Sequence, residues 1–91
     1  MEVYDRNRKE IISNILEFRG YIFCQVCDTS SSFKFHCHHI MFRSEKSKHP
    51  MLHHKRNLII VCEKCHSIFH RVKEEARKDL VIERNLIELF K

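Results

Sequence analysis

Four of the five cysteines in this 91-residue chain form two pairs, with two residues between the members of each pair. The pairs are Cys24 with Cys27 and Cys62 with Cys65. This spacing allows both thiolates of a pair to bind one zinc ion, so two pairs predict a tetrahedral four-cysteine site. Four thiolates leave no open position, which predicts a structural zinc ion with an apparent binding free energy on the order of 10–16 kcal/mol. We interpret the fifth cysteine, Cys37, as a small buried apolar side chain.

The second cysteine pair also fits another chemistry. Cys62, Cys65 and His66 match the attachment site of a c-type haem. Haem attachment follows export, whereas the first residues of the chain are polar and acidic and do not resemble a signal peptide. Haem would also leave Cys24 and Cys27 without a role. We therefore favour zinc, bound by thiols that stay reduced in the cytoplasm.

Histidines supply a second set of candidate metal ligands. His66 and His70 are four residues apart, so on a helix they lie on one face, one turn apart. His38 and His39 are adjacent at the end of an alternating stretch, and neighbouring residues of a strand point to opposite sides. One of these two histidines can therefore face a metal ion while the other faces a substrate water.

The elements that must position these residues are predicted from hydrophobic periodicity. Apolar residues recur at helical spacing over residues 4–18 and again over residues 66–90. The pattern does not decide whether 66–90 form one helix or two, and Asp79 could cap a second one. Residues 33–40 alternate and residues 58–61 are apolar and β-branched, so each stretch predicts a strand.

Length, composition and charge limit the kind of protein. With 91 residues and 43% hydrophobic content, the chain predicts one small domain whose thin core needs a staple such as zinc. No apolar run is long enough to span a bilayer. The net charge of +5, with eight histidines counted as neutral, suggests a polyanionic partner such as nucleic acid, although charge alone fits a merely basic surface as well.

The connection over residues 41–56 is long, polar and basic, and such loops are usually functional. Its adjacent His53 and His54 could imitate a metal site, but we interpret them as part of a basic loop that faces phosphate. This loop and the following helix contain the candidate nucleic-acid-binding cations, namely Arg43, Lys46, Lys48, Lys55, Arg56, Arg71 and Lys73.

The order of His38-His39, Asn57 and His66 resembles the H-N-H signature of the HNH endonuclease family. Three short motifs carry the resemblance: His-His-Ile at a strand end, Asn-Leu before the second apolar run, and Cys-x-x-Cys-His at the start of a helix. The implied fold class is α+β, with a ββα-metal (His-Me finger) core and a zinc knuckle of the kind found in phage and bacterial members. The implied single domain, residues 1–91, has an N-terminal helix (1–20), a zinc-bound core (21–75) and a C-terminal helical segment (76–91).

The resemblance also implies a role for each matching residue. His39 corresponds to the general base that takes a proton from water, and Asn57 to the residue that fixes the loop and orients this base. His38, His66 and His70 correspond to ligands of a catalytic divalent metal. Many family members have an acidic residue where this chain has His38, and several have another residue in place of His70.

The expected function is therefore metal-dependent hydrolysis of DNA, which leaves 5′-phosphate and 3′-hydroxyl ends. Imidazole ligands favour Zn²⁺, Ni²⁺ or Mn²⁺ over Mg²⁺, although Mn²⁺ or Mg²⁺ can still support activity. No recognition module is evident, so we expect low sequence specificity unless a partner, such as a phage terminase in the host cytoplasm, supplies it.

A non-catalytic zinc module that binds nucleic acid or protein is the alternative. The four cysteines fit both functions equally well. His39, Asn57 and His70 distinguish them, because a zinc module has no need of these three residues together. Metal content separates the two functions as well, since the nuclease needs a second, exchangeable ion.

Overall fold

Two strands form an antiparallel sheet in the computed structural model, which describes residues 2–41 and 49–91. Strand β1 spans Phe35–His39 and strand β2 spans Leu58–Cys62. The register pairs the first residue of β1 with the last residue of β2. All five residues of β2 are buried, as expected for an unbroken apolar strand that is covered on both faces.

Helices make up most of the remaining described chain. They are α1 (Glu2–Arg19), α2 (Glu63–Arg71), α3 (Lys73–Glu83) and the short α4 (Leu86–Leu89). One 3₁₀ turn, Lys55–Asn57, immediately precedes β2. The chain is therefore an α+β protein, and no helix within the described residues is long and apolar enough to cross a membrane.

The helix boundaries confirm one sequence-based expectation and correct another. The N-terminal helix is present, and it ends at Gly20, whose φ of +80° is a conformation that favours glycine. The region 66–90 belongs to three helices, and the break between α2 and α3 falls at Val72. Asp79 therefore lies inside α3 and does not cap a helix.

The two faces of the sheet carry separate apolar clusters. On the first face, Ile15 of α1 packs with Phe23 and Ile60. On the second face, helices α2 and α4 contribute Phe69 and Leu86 to a larger cluster that includes three of the four paired cysteines. The sheet is thus sandwiched between α1 and the C-terminal helices.

Strand β1 follows the predicted alternation, although it is shorter than expected. Phe35 and Cys37 pack toward the α1 cluster, so Cys37 behaves as the small, partly buried apolar side chain that the sequence indicates. Phe33, expected on the same side, precedes the strand and is 97% exposed. The strand begins two residues later because β2 ends at Cys62, the pairing partner of Phe35.

Hydrogen bonds of Asn57 join the end of β1 to the start of β2. Its side chain is fully buried, and its Oδ1 accepts a hydrogen bond from the Met41 N–H at 2.7 Å. Its Nδ2 donates to the carbonyl oxygens of Met41 at 3.2 Å and Leu52 at 2.9 Å. The Ile40 N–H also donates to the Asn57 carbonyl at 2.8 Å. Both ends of the connection that follows β1 are therefore fixed by this one residue.

We expect Asn57→Ala to lower the free energy of unfolding by about 2–4 kcal/mol, because it leaves several buried backbone groups without hydrogen-bond partners. Urea unfolding of the zinc-loaded protein, followed by circular dichroism, measures this change. Asn14→Ala, at an exposed position of α1, is the matched control and should stay within about 0.5 kcal/mol of the wild type. Equal losses in the two variants would contradict the role given to Asn57.

Candidate metal centres and active site

The four paired cysteines meet at the junction of β2 and α2. Their sulfur atoms all lie within 4.8 Å of one another, and the Sγ atoms of Cys27 and Cys62 are 3.7 Å apart. All five cysteines are thiols, and Cys37 lies outside the cluster. The arrangement has the ligand type, number and spacing of a closed structural site for a metal such as zinc.

Backbone N–H groups turn toward the cluster and shape each half of it. The Sγ of Cys24 accepts hydrogen bonds from the N–H groups of Val26 and Cys27, both at 3.4 Å. Cys62 caps the N-terminus of α2, and its Sγ accepts from the Cys65 N–H at 3.4 Å. Burial opposes ionisation of Cys24, but the N–H groups of Cys27 and its neighbours lower its pKa to about 7.

Cys65 shows why the four sulfurs need a cation. Burial, and then the adjacent cysteine side chains, raise the pKa of the Cys65 thiol. Four thiolates cannot gather in this position without a positive charge between them, so metal binding must release protons. These features favour a metal ion as the charge that the cluster accommodates.

The second group of candidate ligands lies between β1 and α2. The ring nitrogens of His38, His66 and His70 that could bind a metal all lie within 4.8 Å of one another. The Nε2 atoms of His66 and His70 are 3.2 Å apart, as expected for two residues one helical turn apart. His38 is buried, His66 is half-buried and His70 is exposed, so the cluster opens to solvent on the side of His70.

The surroundings of this three-histidine cluster favour neutral imidazoles. Burial, followed by the charges of the neighbouring histidines, lowers the pKa of His38 to about 4. Burial is also the main cause that lowers the pKa of His66. A neutral imidazole carries the lone pair that a metal ion needs, so the residues present suit a divalent transition metal.

His36 adds a residue that no sequence motif marked. It lies on the same side of β1 as His38, and its ring stacks on His66 with centroids 4.0 Å apart and planes 6° apart. Its Nε2 is buried without a hydrogen-bond partner among the described residues. The stack supports the ring of His66 in its orientation toward the cluster. The alternation of β1 places His36 on this side, but spacing alone does not predict the stack.

His39 faces the opposite side of the sheet, toward α1. Its ring stacks on Tyr4, with centroids 5.3 Å apart and planes 19° apart. Its Nε2 lies 2.9 Å from the Nδ1 of His53. The two adjacent histidines of β1 thus divide between the two faces, as the alternation predicts.

His53 and His54, which the sequence predicts in a loop that faces phosphate, make contacts within the protein. His53 packs against His39. His54 caps the 3₁₀ turn, where its Nδ1 accepts a hydrogen bond from the Arg56 N–H at 3.1 Å. No sequence motif marks Tyr4 or His53. Their contacts with His39 depend on how α1 packs against the sheet.

Three of the predicted nucleic-acid-binding cations lie outside the described residues: Arg43, Lys46 and Lys48. The side chains of Lys55 and Arg56 are exposed, and each makes a contact within the protein. The Lys55 Nζ pairs with Glu10 of α1 at 2.9 Å, and the Arg56 guanidinium donates to the Asn85 carbonyl at 3.1 Å. These contacts are solvent-exposed, so they hold the two cations only weakly.

The remaining two predicted cations lie at the junction of α2 and α3. Arg71 is exposed and directly follows His70, at the open side of the three-histidine cluster. Lys73 is the first residue of α3. Another cation of α3, Arg77, is buried instead, and its guanidinium donates to the Ile40 carbonyl at 3.2 Å. Arg77 therefore supports the end of β1 and is not available to a substrate.

Comparisons of the chain with protein families, curated proteins and solved structures give no match. Residue chemistry and geometry are therefore the basis for a function. The four-cysteine cluster indicates a structural metal such as zinc. The three-histidine cluster is a second, more open candidate site between β1 and α2.

We expect the purified protein to hold about one tightly bound zinc ion per chain, and Cys62→Ser to lose most of it together with the fold. Metal analysis after gel filtration measures the zinc content, and circular dichroism reports the fold. Cys37→Ser is the matched control and should keep its zinc, because Cys37 lies outside the cluster. Zinc loss in both variants, or in neither, would contradict the assignment.

We also expect the zinc-loaded protein to bind one further divalent ion at the three-histidine cluster. Titration calorimetry with Ni²⁺ or Co²⁺ should show one added site, and His70→Ala should weaken it by at least about tenfold because an imidazole ligand is lost. His54→Asn, which can still cap the 3₁₀ turn, should bind like the wild type. If His70→Ala and His54→Asn bind the added ion with equal affinity, the ion does not bind at the three-histidine cluster.

Proposed function

We propose that this protein is a metal-dependent DNA endonuclease of the HNH type. The observation that carries the proposal is the arrangement around the end of β1. Three histidines gather on its α2 side, while His39, the next residue after His38, lies at the strand end that Asn57 fixes. Hydrolysis of a phosphodiester needs both of these features: a metal site and, beside it, a general base that is not itself a metal ligand.

The order of the elements supports a ββα-metal core. Residues 35–71 run from β1 through the connection to β2 and then directly into α2. The first metal-ligand candidate lies on β1, and Asn57 stands immediately before β2. His66 and His70 then follow on α2. These positions agree with the residue roles implied by the resemblance to HNH endonucleases.

The residues present fit a divalent transition metal. His38, His66 and His70 would hold it, and their imidazole nitrogens suit Zn²⁺, Ni²⁺ or Mn²⁺ better than Mg²⁺. Such an ion, when bound, polarises the scissile phosphate and stabilises negative charge on the leaving oxygen. The exposed position of His70 leaves this side of the cluster accessible to a nucleic-acid backbone.

In the proposed reaction His39 acts as the general base. It takes a proton from a water molecule whose oxygen bonds to phosphorus, and the bond from phosphorus to the 3′ oxygen breaks. The 3′ oxygen then gains a proton from solvent, so the products carry 5′-phosphate and 3′-hydroxyl ends. Asn57 contributes by holding the backbone on both sides of the connection that begins just after His39.

Binding to DNA would be largely independent of sequence. The net charge is +5, and exposed Arg56 and Arg71 can contact backbone phosphates, which carry no sequence information. We infer that a partner, such as a phage terminase, would supply specificity, and that the reduced thiols work in the cytoplasm.

A non-catalytic zinc module remains the second candidate, because the four-cysteine cluster alone would serve it. Such a module needs neither the three-histidine cluster nor a histidine fixed against Tyr4. A second, exchangeable metal ion and metal-dependent turnover are what separate the two functions.

We expect the zinc-loaded protein to nick supercoiled plasmid DNA when Mn²⁺, Ni²⁺ or Mg²⁺ is added, and EDTA to stop the reaction. His39→Ala should lower the cleavage rate by on the order of 10²- to 10⁴-fold, because the general base is removed. Agarose gels follow the conversion, and end-labelling identifies the 5′-phosphate. Zinc content and circular dichroism of His39→Ala, measured alongside, must match the wild type. Equal cleavage by both proteins would overturn His39 as the base.

A further inference from the structure

We propose that His53 and Tyr4 are positioning residues for His39. His53 selects the tautomer of the His39 ring, and Tyr4 fixes the plane of that ring. This inference rests on the proposed function, because it assigns to both residues a part in preparing the general base. Neither residue belongs to the motifs that resemble HNH endonucleases, and Tyr4 lies on α1, outside the ββα region.

The contact between His39 and His53 has only two chemical forms. Their Nε2 and Nδ1 atoms are 2.9 Å apart, which is the distance of a hydrogen bond between two ring nitrogens. One ring must donate its N–H and the other must accept with its lone pair. If His39 donates from Nε2, the lone pair of its neutral ring is on Nδ1. We infer this form from the proposed function, because a general base needs its lone pair on a nitrogen that does not bond to His53.

The backbone of His53 is held in place beside His39. Its backbone carbonyl accepts a hydrogen bond from the Asn7 side chain of α1 at 2.8 Å. The preceding residue, Leu52, is 3% exposed and its carbonyl is bound by Asn57 at 2.9 Å. The following residue, His54, donates its N–H to the Met51 carbonyl at 3.0 Å. The backbone is thus fixed at and around residue 53, so its ring cannot move far from His39.

Tyr4 contacts both histidines and is fixed at its far end. Its ring lies parallel to His39, and it meets the edge of the His53 ring with centroids 5.6 Å apart. Its hydroxyl donates to the Cys37 carbonyl of β1 at 3.3 Å. Burial, and then Cys37, raise the pKa of Tyr4 to about 12, so the hydroxyl remains a donor at neutral pH. The His39 ring therefore rests on a surface that is anchored to its own strand.

Steady-state cleavage kinetics of matched variants test the proposal. His53→Leu removes the acceptor, whereas His53→Asn keeps an oxygen close to the position of Nδ1. We expect His53→Leu to lower kcat by on the order of 10- to 100-fold with KM nearly unchanged, and His53→Asn to restore most of the loss. His54→Asn, at the position that directly follows His53, is the control variant. A wild-type kcat in His53→Leu, or an equal loss in the Leu and Asn variants, would overturn the role of His53.

Variants of Tyr4 separate stacking from hydrogen bonding. Tyr4→Phe keeps the ring against His39 and loses only the hydroxyl, so we expect kcat to change by no more than about threefold. Tyr4→Leu loses the ring, and we expect a loss comparable to that of His53→Leu. Zinc content and unfolding midpoints are measured for all four variants. A kcat in Tyr4→Leu equal to that of Tyr4→Phe would overturn the stacking role.

A measurement that needs no activity distinguishes failure of this inference from failure of the nuclease proposal. Nitrogen-15 NMR of the zinc-loaded protein reports the tautomer of each histidine and the coupling across an N–H···N hydrogen bond. We expect a coupling between His39 Nε2 and His53 Nδ1, with the proton on His39. A proton on Nδ1 of His39, or no coupling, would overturn the inference even if the protein cleaves DNA. The expected coupling in a protein that never cleaves DNA would instead overturn the nuclease proposal alone.

Discussion

Successive side chains of a strand point to opposite faces, and β1 uses this constraint to separate two adjacent histidines. His38 faces α2 with two further imidazoles, whereas His39 faces α1 with Tyr4. The separation depends on the pairing of β1 with β2, because a slip of one residue would exchange the two faces. The side chain of Asn57 opposes such a slip, since its hydrogen bonds to the Met41 backbone join the end of β1 to the start of β2.

The four-cysteine cluster links this register to α2, the helix that carries two of the three candidate histidine ligands. Cys62 is the last residue of β2 and also the N-cap of α2, so a metal ion on the four cysteines fixes the angle between strand and helix. His66 follows Cys65 directly, and its ring position therefore depends on how the knuckle closes. In a domain with a thin core, a structural ion on the four cysteines would therefore stabilise the fold and help to fix the geometry of the neighbouring three-histidine cluster.

The parts of the structure that sequence predicts are those governed by local spacing. Cysteine pairs two residues apart, His66 and His70 one helical turn apart, and the alternation of β1 all follow from the geometry of a single element. The break at Val72 was not predictable in this way, because the apolar pattern continues through it. Contacts of Tyr4 with His39 and His53 span long stretches of sequence and arise only when α1 packs on the sheet.

The two parts of the candidate active site, the three-histidine cluster and His39, therefore depend on different elements of the fold. The candidate metal ligands are side chains on β1 and α2, which have regular backbones, and α2 begins at the four-cysteine cluster. The base side depends on a connection that Asn57 fastens at both ends and on a helix outside the ββα region. Metal binding can thus survive changes in α1 that disturb His39. Loss of α1 would remove the Tyr4 ring, the surface on which the proposed base rests.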